Sequence, residues 1–399
     1  MMKAIVNIAR VLVGVLFIFS GLIKANDPLG LSYKMQEFFD LWGMNRFNDW
    51  TEWLSIFMIA FEIIAGAALL IGWRKRIIMW FLLLLIIFFT FLTGYAHLSG
   101  KFKNCGCFGD CIPITSYQSF IKDIILLVLI IFLFIQQKWI VPVGKPFVRA
   151  IIMLFVVLGS FAIQWYTIHY LPVFDCLPYK KGNNISEQML MPANAIPDSV
   201  VITFVYKKNG KEIEFTADKF PADFDSSYTF ISRYDKTIRK GSNNEPPIKG
   251  FALSGITDID STKIVLSDPY AVLLLAENFD RSIDDWKEEF ITLYKVAKEK
   301  HIPVYIITGQ IKKAYLNFND KEFSDIAILK CDNTAIRTAA RTNPCIILLE
   351  KGTIIGKWSY KRMDNAISKV KVLVPQLVLP VYENNPDSLL PVPENNKIK

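Results

Sequence analysis

The chain has 399 residues, enough for two or three domains. It is 52% hydrophobic against 21% charged, and its mean hydropathy of +0.31 is above that of an ordinary soluble enzyme, so disordered, collagen-like and disulfide-knot classes are excluded. A net charge of +8 without a basic stripe interleaved with aromatics argues against nucleic acid as a partner and fits loop lysines facing an anionic lipid bilayer.

The apolar excess lies in residues 1–170. Five stretches, 5–23, 53–71, 77–95, 117–135 and 150–168, are each long enough to cross a hydrocarbon layer ~30 Å thick as a helix. No small-x-small cleavage site follows the first, so it reads as an anchor and not as a secretion signal. Lys3, the turn Arg74-Lys75-Arg76, and Lys138, Lys145 and Arg149 place three positions on the cytoplasmic side. The N-terminus is then inside, and five spans carry everything after His169 outside, to the periplasm if the membrane is a bacterial inner membrane. Arg10 and Glu62 are ionisable groups within spans, where an unpaired charge is costly. They are expected in the bundle interior, paired with each other or joined by Lys24 and Asp27. Such a cluster either fixes helix register or forms a proton or quinone head-group site.

Cys105, Cys107 and Cys111 share one loop, Cys176 follows the fifth span, and Cys331 and Cys345 lie further on. The topology puts all six in the oxidising compartment. Two readings stay open for the loop. One is thiol–disulfide exchange, with a thiolate attacking a disulfide and a neighbouring thiol resolving it. The other is a static disulfide that pins the loop, with Cys176 as a possible partner. His97 and His169 stand near span ends, but Cys-x-Cys with distant histidines is not a zinc spacing, so no metal ligands are assigned.

Residues 171–198 read as a linker broken by Pro172, Pro178, Pro192 and Pro197. In the small β-rich region 199–265, strands at 200–206 and 212–216 flank the turn at Asn209-Gly210. Residues 266–370 alternate strand and helix. The run 270–276 is apolar throughout, as in a strand buried on both faces. A helix is expected over 282–300, capped by Ser282, with Ile283, Trp286, Phe290, Leu293 and Ala297 as its apolar stripe. Strand 302–308, helix 311–318, strand 326–331 and helix 334–341 follow. After Asn343-Pro344 come strands 345–350 and 353–358 and a last helix beyond Met363. Residues 371–399 form an extended tail rich in Pro and Asn.

Within that order, the run Thr342-Asn343-Pro344-Cys345-Ile346-Ile347-Leu348-Leu349-Glu350-Lys351-Gly352 resembles the cis-proline strand and hairpin of the thioredoxin fold. The resemblance implies a cis bond at Pro344 and a binding surface around Asn343, Pro344 and Cys345. The C-x-x-C of such a domain would fall at Glu277-Asn278-Phe279-Asp280-Arg281-Ser282, where there is no thiol. The domain is therefore not expected to be a dithiol oxidoreductase. Cys331 and Cys345 read as small buried hydrophobes on strands flanking the first buried one.

The first four spans resemble the DoxX and MauE-like membrane proteins. The residues concerned are Arg10, Gly14, Phe17, Ser20, Gly21, Lys24 and Asp27-Pro28, then Glu62, Gly66, Leu70 and Gly72, then Cys105-Gly106-Cys107-Phe108-Gly109. The cysteine motif is characteristic of MauE-type members. The resemblance implies a bundle similar to those that pass electrons between thiols and quinones, and a part in maturing a disulfide-rich periplasmic partner during methylamine use. The bundle joined to a C-terminal thioredoxin-like domain resembles a membrane protein group common in Bacteroidetes. The expected fold is a membrane α-helical bundle of about five spans plus a periplasmic α/β thioredoxin-like domain preceded by a small β region. The expected function is thiol–disulfide or quinone-linked redox chemistry with a periplasmic protein partner, using Cys105, Cys107 and Cys111, with Glu62 and Arg10 as an intramembrane polar site. The alternative is a non-catalytic, membrane-anchored assembly or client-binding factor.

Overall fold

The computed structural model describes residues 1–374 apart from 103–105, 107, 240, 242, 256–257, 319–322 and 324–325. Its N-terminal half is helical: α1 (Met2–Asn26), α2 (Pro28–Leu41), α3 (Thr51–Ile71), α4 (Lys75–Ser99), α5 (Ser116–Ile135) and α6 (Pro146–Tyr170). All but α2 are long and apolar enough to cross a membrane. Large apolar side chains such as Ile8, Val11 and Val15 of α1 and Trp80, Leu84 and Phe91 of α4 face outward, a pattern that lipid favours and water does not. The protein is a multi-pass membrane protein.

Close approach of α1 to α3 depends on missing side chains. A Cβ on Gly66 would come within 2.8 Å of the Gly14 carbonyl oxygen, so only glycine permits this crossing. The short α2 was not expected from the sequence. Asp27 caps it, its Oδ1 accepting from the Gly30 N–H at 3.0 Å, and Pro28 occupies the first turn, where no backbone donor is needed. Ser32 of α2 donates to Thr51 at the start of α3 (2.9 Å), which holds α2 against the bundle.

After α7 (Ile185–Gln188), strands β1 (Ser199–Lys208), β2 (Lys211–Thr216) and β3 (Thr229–Arg239) form an antiparallel sheet in the order β2-β1-β3. The β1–β2 hairpin turns at Asn209-Gly210 as expected; β3 is an addition. The remaining elements are α8 (Thr262–Ser267), β4 (Ala271–Ala276), α9 (Lys287–Glu299), β5 (Val304–Thr308), α10 (Ile311–Asn317), β6 (Ala327–Lys330), α11 (Asn333–Ala340), β7 (Cys345–Glu350), β8 (Thr353–Ser359) and α12 (Met363–Lys371). Their sheet runs β6-β5-β4-β7-β8, with β4, β5 and β6 parallel and β7 and β8 antiparallel. Alternation along β4 sends Leu273 and Leu275 into one core with α11, and Val272 and Leu274 into another with α9 and α12. The Asn343–Pro344 bond before β7 is cis. This is a thioredoxin-like domain.

Three expectations change. Helix α9 begins at Lys287 and not at 282, because Ser282 donates to Asp284 (2.5 Å) and accepts from its N–H, a local turn that competes with helix. Strand β6 sits at the sheet edge beside β5, so only the strand of Cys345 flanks β4. Residues 171–198 do more than connect: Leu177, Tyr179 and Ile185 are buried, the last two in the core under β7 and β8.

Candidate functional site

The bundle buries two charge clusters. Glu62 of α3 accepts from Lys24 Nζ (2.5 Å) and Ser20 Oγ (3.1 Å) of α1, and the Lys24 and Glu62 side chains are only 5% and 1% exposed. Asp123 of α5, equally buried, accepts from Thr93 Oγ1 (3.0 Å) and pairs with Lys122 (3.0 Å). Each carboxylate thus has its counter-charge, as a low-dielectric interior requires. A cavity of about 20 Å³ separates the clusters, lined by Lys24, Glu62, Lys122, Asp123 and Phe108. A second, of about 40 Å³, is lined by Lys24, Lys34, Met35, Phe89 and Gly106. Each has room for a water or two and not for a quinone ring, so no step is derived through a quinone.

Arg10 does not pair with Glu62. Its guanidinium donates to the carbonyls of Leu69 (2.8 Å) and Leu70 (2.5 Å) at the end of α3 and to Val141 (2.9 Å). A helix leaves its last carbonyls without partners, and its C-terminus favours positive charge; Arg10 satisfies both demands. Of the arrangements the sequence left open, Glu62 is joined by Lys24, and Arg10 stands apart from it as a helix cap.

Two described residues between α4 and α5, Gly106 and Phe108, line these cavities. Gly106 lines the larger cavity, and the Phe108 ring packs on Phe19 and under Lys122. Cys105 and Cys107 lie outside the described residues. Cys111 is disulfide-bonded to Cys176, the pairing that the static reading of the loop allowed. Asn26, the last residue of α1, braces this junction by exchanging two hydrogen bonds with the Phe174 backbone (2.8 and 2.9 Å).

The thioredoxin-like domain sits beside this junction. Arg341, just after α11, is 5% exposed and donates to Asp27 (2.8 Å) and Asp110 (2.7 Å). Burial works against its charge, but the two carboxylates outweigh that and hold its pKa above the ordinary arginine value. Burial raises the Asp27 carboxyl despite Arg341. Arg337 of α11 binds Glu277 (2.7 Å) and Gln36 of α2 (2.9 Å). Both guanidinium groups stand over the Tyr33 ring, at 5.2 and 5.3 Å. Lys357 of β8 binds Asp175 (2.7 Å), and Ser359 donates to the His169 carbonyl (2.6 Å).

The face that would bear a C-x-x-C therefore looks onto the bundle across a cleft of about 400 Å³, lined by Tyr33, Gln36, Glu277, Asn278, Arg337 and Asn343. Asn343 closes the vestigial site from within: Nδ2 donates to the Asn278 carbonyl (2.9 Å) and Oδ1 accepts from the Glu277 N–H (3.0 Å). Of the expected cis-proline surface only Asn343 is exposed; Pro344 and Cys345 are buried. Cys345 faces the core beside β4, where burial pushes its thiol up to about 12, as it does for Cys331. His97 packs on the rings of Tyr117 and Phe120, and His169 on that of Trp165.

Residues 2–136, covering α1 to α5, match the family model described as methylamine utilisation protein MauE. Residues 2–136 of the bundle are similar to MauE, and α6 lies beyond the match. The MauE-like part thus holds both buried charge clusters and the cysteine loop. Residues 200–240, the three-stranded sheet, match a domain of unknown function (DUF8463). Protein TlpB of Flavobacterium psychrophilum is 34% identical over 128 residues, which are 31% of this chain and 35% of that protein; the chain thus spans about a third of its relative's length. No solved structure matches the chain significantly.

Sequence reasoning missed Asp123, Asp110, Arg337 and Arg341. Asp123 carried a readable signal, an acid inside an apolar span. The arginines carried none, because basic residues at the end of an exposed-looking helix usually face water.

Proposed function

We propose that this protein is a thiol–disulfide component of a bacterial inner membrane, with Cys105 and Cys107 as its reactive pair. One observation carries the reading: Gly106, the residue between those cysteines, lines a cavity whose charged members are Lys24 and Lys34. Ammonium groups beside a thiol favour the thiolate, which is the form that attacks a disulfide. The match of this region to MauE supports the assignment. The partner is a protein carrying a dithiol or disulfide on the periplasmic side. Exchange moves two electrons and two protons between the partner's dithiol and the Cys105–Cys107 pair, in whichever direction the potentials set. Cys111 takes no part in this step, since it is bonded to Cys176. The thioredoxin-like domain serves as a redox-inactive cap over the loop.

Acid-quenched membranes from Cys105→Ser and Cys107→Ser cells, run on non-reducing gels, test this. One single variant should accumulate a mixed disulfide, and the double variant should show none. If neither variant captures a partner and the double variant behaves as wild type, the assembly-factor reading replaces it. Sidedness is read separately: an impermeant maleimide should label reduced spheroplasts at Cys176.

A further inference from the structure

The two cysteines of the described disulfide each follow an aspartate that anchors the outer domain. Asp110 precedes Cys111 and binds Arg341; Asp175 precedes Cys176 and binds Lys357. Arg341 and Lys357 belong to separate parts of the thioredoxin-like domain, the end of α11 and strand β8, and both side chains are only 5% exposed. The disulfide therefore staples together the two points of the bundle side on which that domain rests. Cys111 and Cys176 are 65 residues apart, with α5 and α6 between them, so no short stretch of chain holds the anchors together once the bond opens. Cys176 is exposed and Cys111 half-buried, in contrast to the buried Cys331 and Cys345. An exposed disulfide belongs to the labile class.

We infer that the Cys111–Cys176 bond is a redox clasp: an external protein dithiol opens it, which loosens the seat of the thioredoxin-like domain and widens the cleft at Tyr33. The thiolate of the incoming dithiol attacks Cys176 Sγ. A bond forms between the two sulfurs, the Cys111–Cys176 bond breaks, and Cys111 leaves as a thiolate that takes a proton from water. The second thiol of the incoming protein then closes its own disulfide and releases Cys176, which is protonated in turn. Two electrons and two protons pass to this chain, and the dithiol becomes a disulfide. The contacts Arg341–Asp27 and Ser359–His169 remain, so the domain loosens without detaching. None of this depends on Cys105 or Cys107, so it stands apart from the function proposed above.

Hydrogen exchange on the full chain in phospholipid nanodiscs, with and without dithiothreitol, tests the clasp. Reduction should raise exchange of residues 28–41 and 333–343 together, by roughly tenfold. The Cys111→Ser/Cys176→Ser variant should exchange at the raised rate and ignore dithiothreitol. If that variant does not fold, reduced wild type capped with N-ethylmaleimide takes its place. In Lys357→Gln, the increment on reduction should fall below about twofold, since one anchor is already gone. Unchanged exchange on reduction, a disulfide that stays oxidised, a response surviving in the double serine variant, or a full increment in Lys357→Gln would each overturn the clasp.

Discussion

The two halves of the chain treat cysteine in opposite ways. In the thioredoxin-like domain Cys331 and Cys345 are packed in the core, and burial pushes both thiols up to about 12, far from any thiolate at neutral pH. At the edge of the MauE-like bundle Cys111 and Cys176 are joined where solvent reaches, beside carboxylates that hold the other domain. A fold able to host thiol chemistry is thus the half that buries its thiols, while the helical half keeps its disulfide within reach of solvent. Exposure and neighbouring charge decide reactivity; the fold only offers positions.

That contrast can be strained first through the charges. Glu62→Leu would leave Lys24 as an uncompensated ammonium inside the bundle and should cost about 3–5 kcal/mol. The double variant Lys24→Met/Glu62→Leu should recover most of it, and thermal unfolding in detergent ranks the three proteins. A double variant as unstable as the single would mean that the pair does more than neutralise itself.

Next in size is the domain seat. Arg341→Ala leaves Asp27 buried without its partner and should cost about 2–3 kcal/mol, less than the intramembrane pair because Asp110 is partly in water. Limited proteolysis of residues 333–343 in intact membranes should speed up in the same variant, with the bundle helices unaffected.

A comparison of thiols sharpens the contrast directly. After reduction, maleimide at neutral pH should modify Cys176 within the native protein, whereas Cys331 and Cys345 should stay unmodified until denaturant is added. Native labelling of Cys345 would contradict its burial.

The smallest expected effect is on pH. The Cys345 thiol is raised when folded, so the folded protein keeps its proton while the unfolded chain loses it above an ordinary thiol value. Stability that is fully present below about pH 9 is then lost as pH climbs toward about 12. Between pH 8 and 10, wild type should lose about 1 kcal/mol more than Cys345→Ala, read as the difference between their urea midpoints.

The spans were legible because about twenty mostly apolar residues leave a helix in lipid few alternatives, and β4 because an unbroken apolar run of six has no solvent face. Pro344, the Asn209-Gly210 turn and the missing dithiol at 277–282 were equally local facts. Partnership was not local. Glu62 finds Lys24 at 38 residues, Arg10 finds the Val141 carbonyl at 131, and Asp27 finds Arg341 at 314. Sequence fixes which groups need a counter-charge or a cap, since burial without one is too costly. Which group supplies it depends on where helices cross and domains dock, and that is settled by packing over distances no local pattern encodes.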